Sequence, residues 1–322
     1  MGIGILTSGG DCAGMNPAIR KFVDICFENK VEPYLIYDGL EGMIDGKIKK
    51  ASKKDVSGII HRGGTIIRSS RSKRFFEKVY REEAYNQLKS KGINSIVILG
   101  GDGSFRALKQ FYDDFGIRFV GIPATIDNDI HLTEYCLGVD TALNVIRSAI
   151  DNIRDTASSF KRAFVVEVMG RECGYLAIVS AITSGAEICL VPEMEYNLNS
   201  IKYRLNSEIK EGRGYILAIV AEGVNKTQFL KDWIEKELGM DARVSVLGHI
   251  QRGGNPTVYD RLMGFEFASK ALDALLNRNV QNGVVVYREG RFFIETIEDV
   301  VSGKYKIKRE LLNLAKKMSG NT

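Results

Sequence analysis

The sequence predicts an α/β protein with mainly parallel sheets, and three observations support this prediction. Short apolar runs alternate with helical patterns along most of the 322 residues, which is typical of strand–helix–strand crossover units. The chain has 33 glycines but only 5 prolines, a balance that suits tight turns between strands and helices. Hydrophobic residues make up 44% and charged residues 26%, so the chain is an ordinary globular one and long enough for two compact lobes.

The individual elements follow from the periodicity of the apolar residues. The clearest helix is predicted over 139–157, because one face carries Leu143, Ile146, Ile150, Ile153 and Ala157. Further helical patterns lie at 18–27, around 105–115 and around Trp233, which is predicted to be a core residue. Strands are predicted at 3–7, 34–37, 95–99, 119–122, 163–168, 187–191 and 215–221. Near the end, 283–287 and 291–294 flank Glu289-Gly290, which predicts a hairpin and is the one local antiparallel signal.

Charge and cysteine content narrow the class of function. The net charge is +5, from 45 basic and 40 acidic residues spread along the chain, so small anionic substrates fit it and nucleic acid is not favoured. No apolar run approaches the roughly 18 residues of a membrane span. The five cysteines never form a CxxC pair and no export signal is evident, so we expect reduced thiols in a cytoplasmic protein. With only three histidines, acid–base chemistry should depend on carboxylates.

Two glycine-rich segments follow predicted strands. Residues 7–16 read TSGGDCAGMN and residues 100–104 read GGDGS. Backbone N–H groups in such turns can hold an anion at the start of a helix, although no Gly-Lys-Ser/Thr follows as in a Walker loop. Asp102 is suited to hold Mg²⁺ against a polyphosphate. The alternatives are a structural turn and a helix cap, but two such loops together favour a nucleotide or polyphosphate.

A third strand end carries a pair of carboxylates. Residues 123–129 read PATIDND. One carboxylate can deprotonate an acceptor hydroxyl while the other serves a metal ion, and the Thr125 hydroxyl can contact a transferred phosphoryl group. A capping loop is the structural alternative, and it would explain one or two of these residues.

Basic residues mark several other segments. Arg68 and Arg71 lie in a Ser/Gly-rich stretch that suits phosphate or is simply a solvated loop. Further polar strand ends occur at 168–171, 221–223 and 248–254. Arg162 and Arg243 stand instead at strand starts, so a site at the carboxyl ends of the same chain would not include them. They could serve a neighbouring subunit.

Taken together, these segments resemble the bacterial-type ATP-dependent 6-phosphofructokinase family almost from end to end. The motifs are TSGGDCAGMN, GGDGS, PATIDND, VEVMGR at 166–171 and LGHIQRGG at 247–254. The resemblance implies a phosphofructokinase fold of two Rossmann-like three-layer domains with mainly parallel sheets. It implies a larger ATP-binding domain, 1–138 plus 252–303, and a smaller fructose 6-phosphate-binding domain, 139–251 plus 304–322.

The resemblance also implies an activity and its residues. The enzyme would phosphorylate the 1-hydroxyl of D-fructose 6-phosphate with ATP, the committed step of glycolysis, with Asp127 as the general base. The implied catalytic residues are Asp127, Thr125, Asp129, Arg171 and Gly10. The implied ATP-binding residues are Gly10, Arg71, Ser72, Gly101, Asp102, Gly103 and Ser104. Mg²⁺ would be held by Asp102 and Asp129.

The implied contacts to the sugar phosphate involve Thr125, Ile126, Asp127, Arg162, Met169, Gly170, Arg171, Glu222, Arg243, His249, Ile250, Gln251 and Arg252. Among them, Arg162 and Arg243 would reach the substrate of an adjacent subunit. The resemblance therefore implies a homotetramer with active sites shared between subunits.

An effector site for nucleoside diphosphate or phosphoenolpyruvate is implied less completely. The matching residues are Arg20, Arg154, Gly185, Glu187 and Arg213. Asp24 and Glu211, however, stand where the family pattern has basic residues, which predicts weak anion binding. The alternative is that both acids simply pair with nearby lysines on a solvated surface.

Two rival functions remain open at this point. Pyrophosphate users of the family carry an acid in place of Gly103 and a lysine in place of Ala124, and neither is present here. Ala124 does depart from the usual glycine of ATP users, but it adds only a methyl group. A non-catalytic sugar-phosphate or nucleotide sensor is the second rival, and the complete set of carboxylates argues against it.

Overall fold

The computed structural model describes residues 2–277 and 280–319. The strands are β1 (Gly2–Ser8), β2 (Glu32–Ile36), β3 (Ile48–Lys50), β4 (Ser69–Ser70), β5 (Ile93–Gly100), β6 (Arg118–Pro123), β7 (Ala163–Val168), β8 (Ile188–Leu190), β9 (Ile216–Ala221), β10 (Ala242–Val246), β11 (Asn282–Arg288) and β12 (Arg291–Glu295). The helices are α1 (Met15–Glu28), α2 (Gly39–Ile44), α3 (Lys78–Ser90), α4 (Asp102–Phe115), α5 (Val139–Phe160), α6 (Tyr175–Ser184), α7 (Leu198–Lys210), α8 (Thr227–Leu238), α9 (Val258–Leu276), α10 (Ile297–Ser302) and α11 (Arg309–Met318). Short 3-10 helices cover Arg74–Phe76, Glu222–Val224 and Gly248–Arg252.

The chain forms two compact units. The first comprises Met1–Ile126, Ile130–Thr141 and Arg252–Tyr305, and the second Asp127–Asp129, Ala142–Gln251 and Lys306–Thr322. The structural units differ from the predicted domains most clearly at Asp127–Asp129, a short segment that groups with the second unit. Which ligand each domain binds stays a prediction.

The first unit is built on a mainly parallel sheet in the order β12-β11-β6-β5-β1-β2-β3, with β4 paired to β1. All seven residues of β1 are buried, as expected where both faces of a parallel strand are covered. The predicted hairpin is confirmed as β11–β12, with Glu289 at φ 51° and Gly290 at φ 75° in its two-residue turn. The sequence did not indicate a second antiparallel pair, β2–β3.

The second unit contains a fully parallel sheet in the order β10-β7-β9-β8. Its core is aliphatic and includes Val165, Ile188, Ile201 and Leu230, all fully buried. Trp233 packs against this cluster and is only partly buried. Both units therefore confirm the predicted α/β class, with crossover helices on parallel strands.

The register of the first sheet fixes where its loops meet. Leu99 of β5 lies opposite Thr7 of β1, and Gly100 lies opposite Pro123 of β6. The segments that follow β1, β5 and β6 therefore leave the same edge of one sheet, where ligands of such sheets bind. Among the described residues, no helix is both long and apolar enough to span a membrane.

Candidate active site

The glycine-rich segments of the first unit are joined by serine side chains. Ser104 Oγ donates a hydrogen bond to Ser8 Oγ at 2.9 Å, and this contact is buried. Ser69 Oγ donates to the carbonyl oxygen of Gly9 at 2.8 Å. These bonds bring the ends of β1, β4 and β5 together, as the predicted phosphate-binding arrangement requires.

Gly101 and Gly103 have no structural reason to be glycine. A Cβ atom added to Gly103 would meet nothing within 4 Å, and one added to Gly101 would meet only Ile130 Cδ1 at 4.0 Å. Gly101 has φ −106° and gives no side-chain cap to α4. The open space above these residues fits a ligand that approaches the backbone closely, which is what ATP phosphates would do at a helix start.

Asp102 is the first residue of α4 and its side chain is 44% exposed. Its carboxylate lies 2.7 Å from Arg106 Nε, and Arg106 also donates to the Val301 carbonyl oxygen at 2.5 Å. Sequence reasoning missed Arg106, although its position four residues after Asp102 on a helix is a usable signal for an ion pair. A metal ion at Asp102 would have to share or replace this pair.

The carboxylates present are suited to Mg²⁺, which is commonly held by one or two carboxylates with phosphate oxygens and water. Asp129, the second predicted ligand, is 26% exposed. Within 2–277 and 280–319, no cluster of three or more His, Cys, Asp or Glu side chains could hold a metal by itself. A Mg²⁺ site at Asp102 and Asp129 stays a prediction.

Gly10 packs directly against Arg252. A Cβ at Gly10 would overlap the guanidinium group, whose Nη1 donates to the Asp11 carbonyl oxygen at 3.4 Å. Two residues predicted from separate motifs are thus in contact in the first unit. Arg71 is exposed, and Ser72 Oγ accepts from the Phe75 amide at 3.0 Å.

Arg171 holds the two carboxylates of the PATIDND segment. Its Nε lies 3.2 Å from Asp127 Oδ2 and its Nη1 lies 3.7 Å from Asp129 Oδ2. Asp127 is fully buried, so this guanidinium compensates a charge that would otherwise be costly to bury. Thr125 is 7% exposed. The structure therefore brings Arg171, Asp127 and Asp129 together as predicted, although direct contacts to substrate stay a prediction.

A tight turn fixes the backbone of Arg171. Arg171 has φ 54° and Gly170 has φ 140°, a region that favours glycine. Glu222 Oε1 accepts from the amides of Gly170 at 3.1 Å and Arg171 at 2.8 Å. A Cβ at Gly223 would overlap the Arg171 carbonyl oxygen, so this glycine is required by the packing.

Gln251 has a similar holding role. It is 1% exposed, its Oε1 accepts from the Met169 amide at 3.1 Å, and its Nε2 donates to the Gly248 carbonyl oxygen at 2.9 Å. Glu222 and Gln251 were predicted as substrate contacts. In the structure, a side-chain oxygen of each accepts hydrogen bonds from backbone amides of the turn that carries Arg171. Their neighbours His249 and Ile250 are exposed.

Arg162 and Arg243 lie near the amino-terminal ends of strands in the second sheet, whereas Met169 follows the carboxyl end of β7. Arg162 precedes β7 and Arg243 is the second residue of β10. Both pair with Asp241, at 2.7 Å and 2.9 Å. At about 3.3 Å per strand residue, the length of β7 separates them from the carboxyl end, so one chain does not bring them to Arg171.

The residues of the predicted effector site are engaged by protein groups. Arg20 Nε lies 2.7 Å from Asp24, and Arg213 lies 2.6 Å from Glu208 and also pairs with Glu187. Two further polar contacts complete the set: Arg154 donates to the Ser184 carbonyl oxygen, and Ser207 Oγ donates to Glu211 at 3.1 Å. Gly185 ends α6 with φ 62°. Asp24 thus pairs with a predicted effector arginine rather than with a lysine.

Known proteins resemble this chain over almost its whole length. The family profile described as phosphofructokinase matches residues 2–275. An ATP-dependent 6-phosphofructokinase of Sulfurimonas denitrificans is 55% identical over 316 residues, covering 98% of this chain and 99% of that protein. One of Wolinella succinogenes is 53% identical over 319 residues, covering 99% of each.

A solved phosphofructokinase structure from Saccharomyces cerevisiae matches with a TM-score of 0.90 and 30% identity. The match covers 99% of this chain but only 48% of the yeast chain, so this chain spans about half of that length. With the family profile matching most of the sequence and the relatives matching nearly all of it, the chain belongs to the phosphofructokinase family.

Proposed function

We propose that this chain transfers the terminal phosphoryl group of ATP to the 1-hydroxyl of fructose 6-phosphate, giving fructose 1,6-bisphosphate and ADP. The observation that carries this proposal is Arg171 lying beside both Asp127 and Asp129. A chain that only binds sugar phosphate has no need to bury a carboxylate next to a second one. The high identity to ATP-dependent relatives over the whole chain supports the same activity.

The roles follow from what phosphoryl transfer needs, which is alignment and charge neutralisation. Asp127 accepts the proton of the 1-hydroxyl as the new oxygen–phosphorus bond forms. Arg171 offsets negative charge at the reacting groups, and Thr125 contacts the transferred phosphoryl group. Asp102 and Asp129 would hold Mg²⁺, which would neutralise negative charge on the polyphosphate. ADP leaves as the bond between the γ-phosphorus and the β,γ-bridging oxygen breaks.

The choice of ATP over pyrophosphate is supported by Gly103 and Ala124. The space around Gly103 is open, so an acid there would fit the protein alone but would repel the phosphates of ATP. Ala124 is 1% exposed, and a lysine in its place would bury a charge next to the catalytic segment. Neither feature of the pyrophosphate users is present.

A coupled assay with fructose 6-phosphate tests the proposal. We expect turnover with Mg-ATP and none with pyrophosphate. Turnover with pyrophosphate alone would establish the first rival. Fructose 6-phosphate binding without turnover on either donor would establish the sensor.

We also propose that active sites are shared between chains of a homotetramer. Arg162 and Arg243 lie far from Arg171 along their own sheet, so an adjacent subunit is the natural place for them to act. Mixing inactive Asp127→Ala chains with inactive Arg243→Ala chains should restore part of the activity, because one hybrid site is complete. Subunit exchange without any recovery would contradict sharing.

A cytoplasmic location belongs to the same proposal. Glycolytic substrates are cytoplasmic, and all five cysteines are buried. Burial raises the pKa of the Cys173 thiol to about 12. This thiol therefore stays protonated at neutral pH.

A further inference from the structure

Asp260, on the first turn of α9, is a fully buried acid that the proposed chemistry does not use. Its carboxylate accepts four hydrogen bonds. Oδ1 accepts from Tyr135 Oη at 2.6 Å and from the Gly138 amide at 2.7 Å. Oδ2 accepts from the Thr141 amide at 2.8 Å and from Thr141 Oγ1 at 2.5 Å. All the donors lie in the seven-residue stretch before and into α5.

That stretch is tied directly to the end of β6. The Leu137 amide donates to the Pro123 carbonyl oxygen at 2.9 Å, and Leu137 forms an isolated parallel bridge with Ala124. The Ala124 amide in turn donates to the Gly100 carbonyl oxygen at 2.9 Å. Ala124 immediately precedes Thr125, so the position of the phosphoryl-contacting threonine depends on where Leu137 lies.

Asp260 also contacts the first glycine-rich segment. A Cβ at Gly14 would lie 3.3 Å from the Asp260 carbonyl oxygen, and a Cβ at Gly138 would overlap Cys12. The donor-side loop and the 135–141 stretch are therefore packed around the same residue. The start of α9 is held in place by Thr257, whose Oγ1 accepts from the Asp260 amide at 3.2 Å.

We propose that Asp260 is a positioning residue that sets the end of β6, and with it Thr125, through Gly138 and Leu137. It touches no reacting atom, and its effect on turnover rests on the proposed function. Losing an acceptor here leaves a buried backbone N–H group unpaired, and the stretch shifts to recover a partner. A shift of about 1 Å at a reacting group lowers the rate by about a hundredfold when alignment carries the catalysis.

The test uses Asp260→Asn, which keeps the size of the side chain but turns one acceptor into a donor. We expect kcat to fall about 10- to 100-fold, while KM for both substrates changes less than threefold and the tetramer stays folded. Tyr135→Phe removes one donor to Asp260 and a long 3.4 Å bond from the Asp140 amide. It leaves the Gly138 and Thr141 amides bonded to Asp260, so it should lower kcat less than threefold. A fall in kcat that only follows the unfolded fraction, or an unchanged kcat, would overturn the proposal.

A second readout does not depend on activity. Amide hydrogen exchange of the 120–141 segment should become faster in Asp260→Asn, while exchange of 216–221 in the second unit stays unchanged. If wild type fails to phosphorylate fructose 6-phosphate, the proposed function falls but this exchange result still decides the positioning role. If Asp260→Asn does not fold, Asp260→Glu replaces it, because the longer side chain moves the carboxylate away from the Gly138 and Thr141 amides. The same exchange pattern is expected, and an unchanged pattern would contradict the proposal.

Discussion

Two pairs of glycines, one pair in each unit, serve opposite purposes. In the first unit, Gly101 and Gly103 are surrounded by open space and the fold would accept larger residues there. In the second unit, a Cβ at Gly170 would overlap the Cys173 carbonyl oxygen, and one at Gly223 would overlap that of Arg171. Gly101 and Gly103 leave space that a ligand can occupy, whereas the space at Gly170 and Gly223 is already occupied by backbone atoms of the protein.

This difference separates binding from positioning in the proposed mechanism. Open glycines let the donor phosphates approach the backbone at the start of α4. The closely packed Gly170 and Gly223 let the chain turn sharply enough to bring Arg171 next to Asp127. Substitutions at Gly101 and Gly103 should therefore change ligand use at constant stability, whereas those at Gly170 and Gly223 should change stability and catalysis together.

The largest expected effect comes from the carboxylate that the second unit presents. Asp127→Ala should lower kcat by about a hundredfold or more, the range expected for loss of a general base. Fructose 6-phosphate binding, measured by calorimetry, should persist because the other substrate contacts remain. A folded Asp127→Ala enzyme with near-normal turnover would remove Asp127 from this role.

A smaller effect, on the free energy of unfolding, should distinguish closely packed glycines from glycines with open space around them. Gly223→Ala should lower the free energy of unfolding by about 1–3 kcal/mol, since overpacking forces the backbone to move. Gly214→Ala is the matched control in the same unit, because a Cβ there meets nothing within 4 Å and its φ is not in the left-handed region. Denaturant unfolding measures both, and equal stability of the two variants would contradict the comparison.

The sequence predicted the elements whose apolar runs are unambiguous. β7 was predicted with its observed bounds, and the β11–β12 hairpin was recognised from its Glu-Gly turn. The starts of α1 and α4 were predicted too late, because both helices begin inside glycine-rich segments that carry no apolar periodicity. β3 and β4 were missed because they are two or three residues long and mostly polar.

The site residues could be predicted where reactive side chains lie together in a short motif. They could not be predicted where the contact joins residues that are distant in the sequence. Asp127, Asp129 and Arg171 come from two motifs, and the structure places them side by side. The engagement of Glu222 and Gln251 with backbone amides depends on how the turn folds, which no spacing reveals. Asp260 was missed for the same reason, since a single acid in a helix reads as a surface residue.

The smallest expected effect concerns regulation. The ion pairs of Arg20 and Arg213 with acids reduce the positive charge left for an anion. We therefore expect weak activation by ADP and weak inhibition by phosphoenolpyruvate. Strong sigmoidal inhibition below 1 mM phosphoenolpyruvate (about 4 kcal/mol of binding), abolished by Arg154→Ala, would show a working effector site.

The most direct test of the account is the donor use of Gly103→Asp. Because a Cβ at Gly103 meets nothing, its thermal midpoint and fructose 6-phosphate binding should match wild type, while kcat/KM for ATP falls at least about tenfold, equivalent to 1.4 kcal/mol of repulsion. Gly214→Asp, an acid at another open glycine, should keep normal ATP use. If kcat/KM of Gly103→Asp for ATP is within twofold of wild type, the space at Gly103 is not needed for ATP binding. If Gly103→Asp unfolds, the glycine is needed by the fold, and either result would contradict the account.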